Sequence, residues 1–227
     1  MVKQDLFDKE VELAVSEIKD GNMRFFGDGI EATIIKNQIR LSESLNLSAE
    51  RTARIRTIYD GRKEFTSYDV IFDENIAKYS IINPEEQIPV SDGLVVLSSE
   101  NGILLPLADC LGAVVFDRKR KILGLLHAGR QNVEQNGPKR FVEFFAERFG
   151  SDAKDLKVYF PPYAVDYRIY KMDNKKLGVA VREQLLSAGV LPENIIDSRH
   201  DTVSDKNVPS NSHGDTFDRF AVVVKLK

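Results

Sequence analysis

GILLPLADCLGAVVFDRKRKILGLLH, residues 102–127, holds three apolar runs whose connections are too short to contain a helix. The runs are residues 102–107, 112–116 and 122–127, and a fourth, GLVVLS at 93–98, precedes them. Such runs are apolar at nearly every position, not at alternate ones, so they read as strands covered on both faces. A sheet buried on both sides needs a further layer over each face.

Outward from this stretch, helix and strand signals interleave. After the loop AGRQNVEQNG (128–137), Asn136 can cap a helix and Pro138 suits its first turn. Phe141, Phe144, Phe145 and Phe149 form an apolar stripe that Gly150 ends. Residues 157–160 read as a strand, 174–188 as a helix and 220–226 (FAVVVKL) as a closing strand. Upstream, Ile39, Leu41 and Leu45 recur near helical spacing within 37–45. Residues 54–59, 68–72 and 79–82 are rich in β-branched and aromatic side chains and read as strands. Residues 6–19 are expected as a short helix, followed by a turn at 20–22 and a strand at 24–26. The expectation is an α/β (α+β) fold in one domain, residues 1–227, with residues 1–35 as an N-terminal elaboration.

Composition narrows the function. The 227 residues are 42% hydrophobic and 30% charged, a globular balance. Thirty-two Lys and Arg against thirty-five Asp and Glu leave a net charge of −3, with no basic surplus for nucleic acid. The longest apolar runs fall short of the roughly 20 residues that span a bilayer. The N-terminal MVKQDLFDKE lacks the apolar core of a signal peptide, and a single cysteine cannot form an internal disulfide. A cytoplasmic protein with no nucleic-acid or membrane partner is the expectation.

That cysteine, Cys110, has a candidate partner. If residues 112–116 and 122–127 form a hairpin turning near Lys119–Arg120, Gly112 falls opposite His127. Residues two apart along a strand share a face, so Cys110 becomes the diagonal neighbour of His127. Asp109 points the other way unless the strand bends there. Glycine opposite the histidine leaves space above the pair. Two chemistries fit: a thiolate activated by an imidazole, or a zinc ion held by both and by a third ligand that the hairpin does not identify.

The motifs LADCL (107–111) and LHAG (126–129) resemble those of the laccase-domain proteins, also called multicopper polyphenol oxidoreductase-like proteins or peptidoglycan-editing factors. That family pairs an ADC stretch with an HAGWRG motif some seventeen residues later. Ser91-Asp92-Gly93-Leu94, Phe160-Pro161-Pro162 with Tyr167, and Ser210-Asn211-Ser212-His213-Gly214-Asp215 followed by Arg219 resemble its flanking elements, so the likeness runs over roughly residues 35–227. It implies stacked mixed β-sheets flanked by helices, zinc bound by two histidines and a cysteine, and phosphorolysis of purine nucleosides or deamination of adenosine.

Carried onto this chain, the resemblance makes Cys110 and His127 two metal ligands. The third belongs to a Gln-x-His-Gly segment that corresponds here to Thr57-Ile58-Tyr59-Asp60-Gly61, with Tyr59 in the histidine's place. The chain's three histidines are His127, His200 and His213, so none precedes His127. Tyr59 or His213 is the candidate third ligand, with Asp60 and His200 as further options. HAGWRG becomes His127-Ala128-Gly129-Arg130-Gln131-Asn132. The resemblance casts Asp109 as a general base. Arg130 and Arg219 are expected to receive a phosphate or a substrate carboxylate, and Tyr163 or Phe160 to stack on a base. A degenerate binding protein without turnover and a metal-free Cys–His hydrolase are the alternatives.

Overall fold

The computed structural model describes residues 1–24, 31–213 and 218–227, except for the side chain of His213. Its elements are, in chain order, β1 (Val2–Leu6), β2 (Val11–Val15), α1 (Glu31–Glu43), β3 (Thr52–Arg54), β4 (Tyr68–Ile71) and α2 (Ile76–Tyr79). There follow β5 (Gly93–Val96), β6 (Gly102–Leu107), β7 (Leu111–Asp117), β8 (Ile122–Ala128), α3 (Arg130–Glu134) and α4 (Gly137–Phe149). The chain closes with β9 (Leu156–Phe160), β10 (Arg168–Ile169), β11 (Lys175–Lys176), α5 (Leu177–Ser187), β12 (Ile195–Asp197) and β13 (Phe220–Leu226).

Two mixed sheets stack. The first has the order β1-β2-β13-β6-β3 and the second β12-β9-β7-β8-β5-β4. Strand alternation divides their apolar side chains among three clusters. Ile103, Leu105, Phe220, Val222 and Val224 of the first sheet meet Val114, Phe116, Leu123 and Leu125 of the second in the layer between them. Ala113, Val115, Leu126 and Val158 point outward to α4 and α5. Leu104, Ala221 and Val223 point to the opposite outer face, under Leu41 of α1. The order is helix, sheet, sheet, helices, and every residue of β5 to β8 is buried. Phe141 and Phe145 of α4 lie directly on β8: a Cβ at Gly124 would sit 2.9 Å from both rings.

The hairpin takes the expected register, Gly112 opposite His127. Its turn is fixed by Asp117, fully buried, whose Oδ1 accepts from the backbone N–H of Lys119 at 2.9 Å and of Arg120 at 3.1 Å. The helix expected over residues 6–19 is instead the β1–β2 hairpin. Phe7, Asp8 and Lys9 adopt positive φ, which breaks a helix and reverses the chain, so Val2 pairs with Val15. Residues 79–82 are not a strand either: Tyr79 ends α2, and Ser80 makes a lone bridge to Ala53. The strand expected over 54–59 covers Arg54 alone, as the end of β3. Phe25 and Phe26, expected in a strand, lie outside the described residues.

Candidate functional site

The site forms where β7 begins. Asp109 has φ 66°, a left-handed bend between β6 and β7 that turns its carboxylate away from the sheet. Cys110 follows the bend and packs against the cluster between the sheets. His127, near the end of β8, lies on that same inter-sheet face by alternation with Leu123 and Leu125. The space opposite the imidazole is filled: a Cβ on Gly112 would lie within 4 Å of Leu105, Leu107 and Pro161.

A cavity of about 300 Å³ opens over Cys110. Ala108, Asp109 and Cys110 form its floor, Tyr59 and Tyr167 give it aromatic surface, and Arg130, Gln131, Leu177, Asn211 and Ser212 complete it. His127 is 5% exposed and does not line the cavity; its ring meets Tyr59 edge-on, with centroids 6.4 Å apart. The backbone N–H of His127 donates to Asp92 O at 2.7 Å. Gly129 allows the tight approach after β8, since a Cβ there would stand 2.6 Å from His127 Cε1.

Burial decides the charge states. It pulls the His127 imidazole down to about 3, helped by Arg24 and Arg62. Burial, then the Asp109 carboxylate, pushes the Cys110 thiol up to about 11, against the opposing pull of Arg24, Arg219 and Arg130. Both groups are neutral at pH 7, and proton transfer from the thiol to the imidazole runs uphill. Neither shift is the lowered thiol pKa by which an imidazole activates a nucleophile.

Among the described residues, no third ligand joins Cys110 and His127, and no group of three His, Cys, Asp or Glu is arranged to hold a metal ion. At the position of the missing histidine stands the Tyr59 phenol, 37% exposed at the cavity, its pKa raised by partial burial and by Cys110, so at neutral pH it keeps its proton. His200 is bound to Asp205 at 2.5 Å and borders a different, smaller cleft. The side chain of His213 lies outside the described residues.

Of the other candidates, Arg130 lines the cavity and Arg219 is close enough to act on the thiol. Asp109, cast as a base, has both carboxylate oxygens occupied by hydroxyl and amide donors. Tyr163 is 2% exposed, donates its hydroxyl to Asp197 at 3.0 Å and is absent from the cavity wall. Phe160 is fully buried. The aromatic side chains that line the cavity are Tyr59 and Tyr167. Sequence reasoning gave no role to Arg24, Arg62 or Thr202, whose partners lie 33, 30 and 93 residues away.

Two stacked mixed sheets between helices, with a cysteine just before one strand and a histidine on its neighbour beside a cavity, define a class of small α/β proteins. The multi-copper polyphenol oxidoreductase laccase family matches residues 12–176. The chain belongs to that family. It is similar to YlmD from Geobacillus stearothermophilus, with a TM-score of 0.84 at 17% identity over 96% of this chain and 92% of the other. The hypothetical protein YfiH of Bacillus licheniformis gives 0.80 at 16% identity over 96% and 93%. A purine nucleoside phosphorylase of Borreliella burgdorferi is 31% identical over 99 residues, 43% of each chain. One from Synechocystis is 30% identical over 91 residues, 40% of this chain and 33% of its own. The matched stretches therefore span less than half the length of these curated relatives. Among the described residues no helix is long and apolar enough to cross a membrane.

Proposed function

We propose that the cavity over Cys110 binds a purine nucleoside together with phosphate and promotes phosphorolysis of the glycosidic bond. The observation that carries this reading is the make-up of the cavity: two tyrosines, an arginine and short polar side chains enclosing about 300 Å³. Tyr59 and Tyr167 offer faces for a purine, Asn211 and Ser212 offer polar groups for a ribose, and Arg130 offers charge-assisted bonds to phosphate. Arg24 and Arg219 add positive potential around the thiol. In phosphorolysis a phosphate oxygen bonds to the anomeric carbon as the C–N bond breaks. The electron pair leaves on the purine, which takes up a proton. Phosphate is itself the nucleophile, so the arginines need only hold it and offset its charge. Deamination instead needs an activated water.

A second reading, binding without turnover, is favoured by Tyr59 standing in the histidine's place. One experiment separates the two. Purified protein is incubated with inosine and phosphate, with and without added zinc, while hypoxanthine release and inosine binding are followed. Release without zinc supports phosphorolysis by the residues described. Binding without release in either condition supports the second reading, and zinc uptake with turnover appearing together in Tyr59→His would strengthen it. Neither binding nor release overturns both.

A further inference from the structure

The part of the cavity lining that carries Asn211 and Ser212 belongs to a segment with little regular structure of its own. After β12, residues 198–213 run as turns and bends with a single bridge, Tyr163 to Asp201, and one short 3-10 turn, Asn211–His213. Backbone bonds tie its first part to Tyr163, through His200 O at 3.1 Å and the Thr202 N–H at 3.1 Å, and Ile18 N–H holds Asn207 O at 2.8 Å. Past Asn207 the attachment changes. Among the described residues, the hydrogen bonds that reach Ser210–Ser212 from outside that stretch all end on one carboxylate. Asp109 Oδ1 accepts from Ser210 Oγ at 2.7 Å and from Thr202 Oγ1 at 2.7 Å. Its Oδ2 accepts from the Ser212 N–H and from Ser212 Oγ, both at 2.8 Å. Four donors on two oxygens leave a buried carboxylate satisfied and committed.

We propose that Asp109 is a positioning residue: its carboxylate clasps Ser210–Ser212 against the bend before β7, and this clasp forms the cavity wall that carries Asn211 and Ser212. The positive φ at Asp109 is part of the device, since it swings the carboxylate out of the strand and toward the segment. The effect on ligand rests on the nucleoside reading above, whereas the clasp itself does not. A carboxylate is suited to the task because each hydroxyl or amide donor to a charged oxygen binds more tightly than it would to a neutral one. Asparagine keeps one acceptor oxygen and puts an NH2 group in place of the other; the hydroxyls can accept from it but the Ser212 N–H cannot, and the charge that strengthens all four bonds is gone.

The test separates the clasp from a base at the same position. In Asp109→Asn, hydrogen–deuterium exchange of the amides at 210–212 is expected to quicken about tenfold or more, while those of β7 and β8 do not change. In Thr202→Val/Ser210→Ala, which keeps the carboxylate and touches no residue lining the cavity, the same amides quicken and Cys110 alkylation by iodoacetamide speeds up as the wall loosens. Inosine affinity is expected to fall several-fold in both variants, with the pH profile of any turnover unmoved. Unchanged exchange at 210–212 in both variants overturns the clasp. So does a variant that binds inosine as the parent does but shifts the acid limb of its pH profile, because that outcome makes Asp109 a proton-transfer group. Should the parent bind no inosine, the nucleoside reading fails alone, and exchange and alkylation still decide the clasp.

Discussion

The two walls of the cavity are each anchored by a buried aspartate, but by different chemistry. Behind Tyr59, Asp92 is 1% exposed and meets both Arg62 terminal nitrogens, at 3.0 and 2.5 Å, as well as the Ser67 N–H at 3.0 Å. That loop has further hooks: Asn132 donates to Phe65 O at 2.6 Å, and the Gln135 amide bonds both Phe65 N and Lys63 O. On the Ser210–Ser212 side, the hydrogen bonds that Asp109 accepts among the described residues come from three hydroxyls and one amide. An ion pair with several neighbouring bonds makes a wall whose loss is global. A single carboxylate shared among hydroxyls makes one that opens locally, at low cost to the rest of the fold.

The largest expected effect follows from breaking the ion pair. Arg62→Ala strands the Asp92 charge beside the buried end of β8 and is expected to cost about 3–5 kcal/mol of unfolding free energy in urea titration. Adding Asp92→Asn to that variant should recover part of the loss, because the stranded charge is then gone. A loss below about 1 kcal/mol in the single variant would erase the contrast between the walls. Next in size is the thiol between them. Held at about 11, Cys110 carries roughly 100-fold less thiolate at pH 8 than an unperturbed cysteine, so alkylation should be slower by about that factor and should rise toward pH 11. Fast alkylation at neutral pH would instead revive the metal-free hydrolase.

The reach of the sequence follows the same division. Strands β5 to β8 and the register that sets Gly112 opposite His127 were legible because continuous apolar runs and a charged turn leave one workable pairing. The β1–β2 hairpin was not, because its reversal depends on positive φ at Phe7, Asp8 and Lys9, none of them a glycine. At the site, Cys110 and His127 could be placed on one face by counting along a hairpin. The anchors could not: Arg62 reaches Asp92 across 30 residues and Thr202 reaches Asp109 across 93, and no periodicity records such pairings. Tyr163 was chosen for its place beside the prolines, yet Gly178 of α5 lets the helix close over its ring, and Tyr167 faces the cavity. The two tyrosines give a smaller contrast to measure. Tyr167→Ala should weaken inosine binding by about 1–3 kcal/mol, the worth of one stacked base. Tyr163→Phe should leave binding unchanged and cost about 1 kcal/mol of stability through the lost bond to Asp197.

The smallest effect per step tests how well the firm wall excludes water from His127. In the unfolded chain the imidazole takes a proton near pH 6.5; in the folded chain burial delays this to about 3. The folded pKa is the lower one, so stability from this residue is complete above about 6.5 and drains as pH falls through the window toward 3. The drain is up to about 1.4 kcal/mol for each pH unit. His127→Gln removes the titrating group, so the difference in unfolding free energy between parent and variant should change with that slope between pH 6.5 and 5. Groups common to both proteins cancel in the difference. A flat difference would mean that the folded imidazole protonates as readily as the unfolded one. Water would then reach it past Tyr59, and the wall held by Asp92 would be no tighter than the wall held by Asp109.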